Sequence, residues 1–316
     1  MASPPPAEGV RVHWRELPDL VRRAVETRIE DHVAEDQTQP GGFSPGAATR
    51  LRTTGGKRIF LKAISVQSNP ETPDMHRREA HIVAAMPPDA PVPKLLWTFE
   101  ESGWVCLGFE DVDGRHPELP WKRTELDRVM ASLDELARTL TPPPIIPELA
   151  SEFVAREFTG WGDFARGSDM ALDDWSKRNL ERLVRAEARA PSAVEGNTLL
   201  HLDLRADNML IDNREDRVWI VDWPWARVGA SWFDIVGMAP SVAMQGGPKP
   251  EDLVNRFALM KEADADQVTA VVVGLAGFFM YRAAQPPPPG IPTVRAFQKA
   301  QGEVACRWIQ ERTGWR

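Results

Sequence analysis

Only two cysteines occur in the 316 residues, Cys106 and Cys306. Both fall inside regular-looking segments, so neither a disulfide framework nor a zinc site is expected. An excess of basic residues is missing as well: 38 Lys and Arg stand against 46 Asp and Glu, for a formal net charge of −8. Non-specific binding to nucleic acid or to an anionic membrane needs a basic surface, so neither partner is expected. Long hydrophobic runs are also lacking. The longest, Val268 to Tyr281, contains Thr269 and two glycines and is too short to span a bilayer. The opening MASPPPAEGV has no basic patch followed by an apolar stretch, so no secretory signal is read there and a cytoplasmic location is expected. No internal repeat of useful period is present.

What remains is an ordinary globular composition, 42% hydrophobic and 27% charged, in a chain long enough for two modest cores. The most informative stretch is Leu199 to Asp222, LLHLDLRADNMLIDNREDRVWIVD. It holds His201, Asp203 and Asn208 in the spacing H-x-D-x-x-x-x-N, followed by the β-prone run Val218 to Val221, which delivers Asp222. A hydroxyl attacking the last phosphate of a nucleotide needs a carboxylate to orient it. Magnesium ions need an amide oxygen and a second carboxylate nearby. Asp203 suits the first role, Asn208 and Asp222 the second. The string alone is a weak signal, since acidic and amide residues are common in loops, and the strand with its carboxylate strengthens it.

These residues resemble the catalytic loop and metal-binding segment of the protein-kinase-like fold. Within that fold the likeness is to the aminoglycoside phosphotransferase family, whose loop reads roughly H-G-D-x-x-x-x-N and whose metal Asp is followed by Trp. Here Ile220-Val221-Asp222-Trp223 stands at that point. The Asp-Phe-Gly and Ala-Pro-Glu of protein kinases are missing. The resemblance implies an α+β, two-lobed architecture: a small β-rich N-terminal lobe over 1–112 and a larger helical C-terminal lobe over 113–316. It implies ATP or GTP and Mg2+ as cofactors, and a small-molecule hydroxyl as acceptor.

The N-terminal half follows that pattern. After a Pro-rich start and a helix opening at Leu17-Pro18-Asp19, which reads as a prelude and not a site, a β-rich region begins at His32. Gln39 to Ala47 is a glycine-dense turn, readable as an ordinary hairpin; by resemblance Gly41, Gly42 and Ser44 belong to a loop covering the nucleotide phosphates. Thr49 to Leu51 and Arg58 to Ile64 read as strands. Lys62 lies within the latter, where an ammonium is costly unless something anionic awaits it. The resemblance gives it the α- and β-phosphates and pairs it with Glu79 on a helix over 73–84; a surface ion pair is the alternative. His76 and His81 on that helix are five apart, point to different faces and read as solvated, not as zinc ligands. Two further strands, 94–99 and 104–109, lead to a hinge-like segment where the resemblance places the backbone of Glu110 and Val112 against the purine edge.

The C-terminal half reads as helical over 123–140, 174–190, 268–284 and 294–310. Phe153 to Asp174 is read as an irregular segment rich in Gly, Asp and aromatics, either forming part of the acceptor site or a surface loop with packed aromatics. Trp223 and Trp225 offer flat faces for sugar or nucleoside rings, and the acidic segment would suit an amine-bearing antibiotic. By resemblance Asp234 accepts hydrogen bonds from the catalytic-loop backbone, and His201 braces that loop. Arg205 stands where many relatives carry His; it either neutralises charge on the transferring phosphoryl group or pairs with Asp207 or solvent. Asp203 and Arg205 are thus the expected catalytic residues. The acceptor itself, cationic or sugar- or nucleoside-containing, and the oligomeric state are left open.

Overall fold

The computed structural model describes residue 5 and residues 9–39, 41–43, 46–67, 72–167, 172–215 and 217–316. A five-stranded antiparallel sheet forms from β1 (Val33–Thr38), β2 (Ala47–Thr53), β3 (Arg58–Ser65), β4 (Leu95–Glu101) and β5 (Trp104–Glu110), in the order β1-β2-β3-β5-β4. Side chains alternate across the pleat, so β3 serves two environments at once. Ile59, Leu61 and Ala63 point to one face and are buried with Leu51, Phe99 and Cys106. The lid on that face is helix α1 (Asp19–Ile29), which contributes Val21, Val25 and Ile29 at helical spacing. The segment read as a prelude is therefore the outer cover of the sheet. On the opposite face, Phe60 and Lys62 look toward helix α2 (Thr72–Ala84) and the cleft.

The chain then passes through 111–113 into β6 (Gly114–Arg115) and the helical half. There α3 (Arg123–Thr139) buries the expected stripe of Leu126, Val129, Met130, Leu133, Leu136 and Ala137. The segment expected to be irregular is largely helical: α4 (Ala150–Glu157) and α5 (Gly160–Ala165) occupy it. Its glycines mislead a local reading. Gly160 sits where α5 crosses a later helix so closely that a Cβ would stand 2.0 Å from the Gly277 carbonyl oxygen. Gly160→Ala is accordingly expected to destabilise the protein by at least about 1–3 kcal/mol, the usual cost of forced overpacking, measured as a fall in denaturant midpoint. An unchanged midpoint would refute the close approach.

Helix α6 (Asp174–Glu187) starts where Asp173 accepts a hydrogen bond from the Ser176 N–H at 2.9 Å, and the short α7 (Ala190–Ala193) follows. Strands β7 (Thr198–Leu200), β8 (Met209–Asp212), β9 (Val218–Ile220) and β10 (Arg227–Gly229) build two small antiparallel sheets, β10-β7 and β6-β8-β9, which hold the catalytic-loop sequence between them. The remainder is α8 (Phe233–Met244), α9 (Pro250–Val254), α10 (Ala265–Ala283) and α11 (Val294–Thr313). Val271, Val272, Val273 and Ala276 of α10 are fully buried, as expected for the spine of this half. Among the described residues no helix is long and apolar enough to cross a membrane. Both cysteines are buried and unbridged.

Candidate active site

The cleft between the sheet and the helical half is floored by the loop after β7. Left-handed backbone occurs at two points here, Leu202 in that loop at φ 60° and Asp222 just after β9 at φ 71°. For residues other than glycine such geometry costs on the order of 1–3 kcal/mol and persists only where surrounding bonds over-determine it. Those bonds are present. The Asp234 carboxylate, at the start of α8, accepts from the backbone N–H of His201 at 2.7 Å and of Leu202 at 2.8 Å. The His201 ring is fully buried, with Nε2 2.9 Å from the Val221 carbonyl and Nδ1 accepting the Asp203 N–H at 3.1 Å. One imidazole thus ties the loop carrying Asp203 to the strand end carrying Asp222. Burial holds its pKa down to about 4, so it is a neutral brace. Burial also pushes Asp234 up to about 6 despite its two N–H donors.

Lys62 lies across from Ala48 on β2 and Leu107 on β5. Its ammonium donates to both Glu79 carboxylate oxygens, at 2.7 and 2.8 Å, and to Asp222 Oδ1 at 2.7 Å. The expected Lys62–Glu79 pair is therefore part of a buried triad reaching the metal-type carboxylate. Burial works to lower the Lys62 pKa, but Asp222 and Glu79 outweigh it and hold it above the ordinary value. Burial raises Glu79, and Asp222 falls to about 2 because Lys62 overcomes the cost of its own burial.

Asp203 sits on the other side of Asp222. Burial lifts its carboxyl to about 7, with Arg205 pulling it down and Asp207 and Asp222 pushing it up. The Arg205 guanidinium bonds Asp203 and forms a two-pronged contact with Asp207 at 3.0 and 2.9 Å. The pairing with Asp207 foreseen as one alternative is thus present, together with a bond to Asp203. Asn208 donates from Nδ2 to the Asp203 carbonyl at 2.7 Å and to its Oδ2 at 3.3 Å, which turns its own amide oxygen away from those bonds.

Two cavities converge here. Gly41, Gly42, Lys62, Glu79, Glu110, Val112, Asn208 and Asp222 all line one of about 1030 Å³, counting its open mouth. It has an apolar slot (Ala48, Phe60, Val92, Phe109, Val112 and Leu210) and a charged end at Lys62. Asp203 and Arg205 line a second space of about 1590 Å³, counted the same way, and Asp222 lines both. Ser44 lies outside the described residues.

Among the residues of the first cavity that sequence reasoning missed are His76 and Arg11. His76, expected to be solvated, is only 5% exposed and lines it, with burial and the Lys62 charge holding its pKa near 3. Its signal was available: it stands three residues before Glu79 and so shares a helix face with it. Arg11 had no signal. The chain at 10–12 pairs with Gly46, and the Arg11 guanidinium bonds the carbonyls of Gln39 and Gly41 from the cavity wall. The acceptor-side expectations also need correction. Trp223 is 1% exposed and sealed edge-on against His201, with its indole N–H on the Ile220 carbonyl, so it offers no face; Trp225 does line the second cavity. Asp163 is spent on Thr159 and Arg166, Asp173 on the start of α6, and Asp169 lies outside the described residues. From this segment the cavity receives Phe153 and Phe158 instead.

A strand-borne lysine paired with a helix glutamate, above a braced loop in a two-lobed α+β molecule, defines the protein-kinase-like class. A family model described as the phosphotransferase enzyme family (APH) matches residues 40–270, and the chain belongs to that family. Solved structures agree on the fold. A thermostable mutant of the aminoglycoside phosphotransferase APH(4)-Ia, in ternary complex with ADP and hygromycin B, superposes with a TM-score of 0.62 at 15% identity, over 93% of this chain and 98% of that one. Spectinomycin phosphotransferase APH(9)-Ia, in complex with ADP and spectinomycin, gives 0.60 at 13% identity, over 92% and 98%. A putative fructosamine-3-kinase from Haemophilus somnus 129PT gives 0.53 at 12%, over 92% and 97%. No curated protein sequence matches significantly.

Proposed function

We propose that this protein is a small-molecule O-phosphotransferase that moves the terminal phosphate of ATP or GTP to a hydroxyl of an antibiotic or similar natural product. The observation that carries the reading is Asp222, shared by the two cavities, with Lys62 on one side and Asp203 on the other. The apolar slot accepts the purine, with the backbone at Glu110 and Val112 along its edge. Lys62, held by Glu79, takes the nucleotide phosphates, and Gly41 and Gly42 close over them. Their lack of side chains matters at Gly42, where φ is 91° and a Cβ would stand 3.0 Å from the Arg11 guanidinium.

Asn208 and Asp222 fit a magnesium ion: each offers an oxygen, and this hard cation commonly takes one or two protein oxygens plus phosphates and water. No cluster of three or more His, Cys, Asp or Glu that could hold a metal occurs among the described residues. When bound, the ion supplies charge neutralisation on the β- and γ-phosphates. The reaction at this chain's own residues is direct. The acceptor oxygen bonds to the γ-phosphorus as the bond from that phosphorus to the β–γ bridging oxygen breaks, ADP (or GDP) leaves with the electron pair, and Asp203 aligns the hydroxyl and receives its proton. Because the transition state is loose, positioning and charge neutralisation supply most of the rate.

Arg205 would act through Asp203. With its charge removed, the Asp203 pKa should rise from about 7, since Arg205 is what pulls it down. Arg205→Met is thus expected to move the rising limb of the pH–rate profile to higher pH and to slow transfer at neutrality. Normal turnover with an unmoved profile would remove the role.

The primary test is thermal stability with Mg2+ and ATP or GTP, followed by a panel of hydroxylated antibiotics, choline and homoserine assayed for phosphate transfer. Nucleotide at roughly 100 times its Kd should add about 2.7 kcal/mol of stability; no stabilisation by either nucleotide would overturn the reading. Transfer to choline or homoserine alone would assign the protein to metabolism. The fold likeness to the fructosamine kinase keeps that second reading in the panel.

A further inference from the structure

The lining of the second cavity is unlike what a polycationic acceptor requires. Its carboxylates among the described residues are Asp203, Asp222 and Asp234, and each is already committed: to Arg205 and Asn208, to Lys62, and to two backbone N–H groups. Most of the remaining wall is aromatic and aliphatic. Phe158 packs against Phe278 at 5.5 Å and Phe233 at 6.2 Å, Phe153 approaches Trp225 at 6.4 Å, and Phe43 of the glycine-rich turn meets Phe297 of α11 edge-on at 5.3 Å. The two aromatic groups, one at the glycine-rich turn and α11 and the other around Phe158, line the same space.

Aromatic faces can also attract cations, as in cages for quaternary ammonium groups. Here guanidinium groups already stand over them. Arg205, the one guanidinium among the described residues lining this cavity, stands over Phe43 and Phe297 at 5.1 and 5.8 Å; outside the lining, Arg282 stands over Phe278 at 5.6 Å and Arg227 over Phe153 at 5.3 Å, each paired with a glutamate, and Arg78 over Trp225 at 5.8 Å. A second cation would meet like charge and lose its hydration without gaining a free carboxylate. The polar groups suited to an uncharged ligand are present on α11, where Gln298 and the nearly buried Gln301 line the same space.

From the committed carboxylates, the aromatic wall and the Arg205 guanidinium set against it, we infer that the acceptor is an uncharged alcohol carried on an apolar, ring-bearing body. This rests on the phosphotransfer reading of the site. The alcohol oxygen forms the new bond to the γ-phosphorus, the β–γ bridge breaks, ADP departs with the electron pair and the proton passes to Asp203. The hydrophobic body lies along Phe158, Phe278 and Phe297.

Gly237 of α8 offers a clean probe, since it lines this cavity and a Cβ there meets nothing within 4 Å. Gly237→Leu should fold, because leucine favours a helix over glycine, and should fill part of the acceptor space. The experiment compares 2-(2-naphthyl)ethanol, hygromycin B and choline on the full-length protein. Binding is measured calorimetrically with Mg2+ and AMP-PNP, and transfer by mass spectrometry with Mg2+ and ATP. The naphthyl alcohol is expected to bind and to be phosphorylated with kcat/KM at least about tenfold above either cation, and Gly237→Leu to weaken its binding about tenfold. Preference for hygromycin B or choline, no binding of the naphthyl alcohol, or indifference to Gly237→Leu would each overturn the inference while leaving phosphotransfer intact. If the alcohol binds as expected but no nucleotide does, or no phosphate moves, the phosphotransfer reading fails and the assignment of the cavity stands.

Discussion

Asp203→Ala is expected to leave nucleotide binding essentially unchanged and to reduce phosphate transfer by on the order of a thousandfold, within the range for loss of a positioned general base. Its carboxyl lines the second cavity and not the first, touching the first cavity's lining only through Asn208. Single-turnover transfer together with nucleotide titration measures both effects. Asp203→Asn separates two contributions, because an amide keeps much of the shape and can still accept a hydrogen bond from the hydroxyl, yet cannot take its proton. With the Asp203 pKa lifted to about 7 by burial, the wild-type rate should rise with pH up to about 7 and level above it, as the carboxylate form accumulates. A flat profile over that range, or an alanine variant with ordinary turnover, would remove Asp203 from the chemistry.

Lys62→Met should produce the largest loss of stability. The ammonium is the shared counter-charge of Glu79 and Asp222, whose side chains are 3% and 24% exposed. Removing one partner from a buried ionic network costs about 3–5 kcal/mol, and here the cost falls mainly on Glu79, which is left buried without its cation, while Asp222 keeps some access to water. Calorimetry of the nucleotide-free protein should show a fall of several degrees in Tm. The deficit should also depend on pH. Glu79 already has a pKa above its ordinary value through burial, and loss of Lys62 raises it further. The folded state then binds more protons than the unfolded one between the two pKa values, so stability falls as pH rises through that window and recovers on acidification. A lysine that merely decorated a strand edge would show neither effect. Nucleotide affinity should drop as well, since Lys62 faces the phosphate end of the cavity.

The two variants report on different cavities, and Asp222 joins them. Its left-handed backbone at φ 71° and that of Leu202 at φ 60° are the sort of local cost found where geometry serves chemistry. His201 and Asp234 hold both in place without ionising near neutrality in the case of His201. The neutral, buried imidazole explains how a histidine at the head of the motif contributes rigidity.

Much of this was legible in the chain. The spacing from His201 through Asn208 to Asp222 is local, and a short strand necessarily carries one end of the motif toward the other. Lys62 stood out as an ammonium inside the strand Arg58 to Ile64, and the helix bearing Glu79 followed directly. The stripe on 123–140 and the apolar spine over 268–284 were equally plain, because periodicity records which face is buried. Failures came where glycine and aromatic density was taken for irregular structure. At Phe153 to Asp174 the glycines serve helix contact, as the Gly160–Gly277 approach shows.

Local pattern, together with the family resemblance, picked out the polar residues that the structure brings together, since hydrogen-bonding groups and strand or helix periods act over a few residues. Tertiary packing decided what surrounds that machinery. Arg11 enters the nucleotide cavity from the far end of the chain, Trp223 is sealed while Trp225 is not, and the acceptor wall gathers Phe43, Phe158, Phe278 and Phe297 from four separate segments. An apolar side chain carries no mark of whether it fills a core or lines a cavity. The difference lies only in whether distant elements close over it, and that is set by how the helices and the sheet pack together.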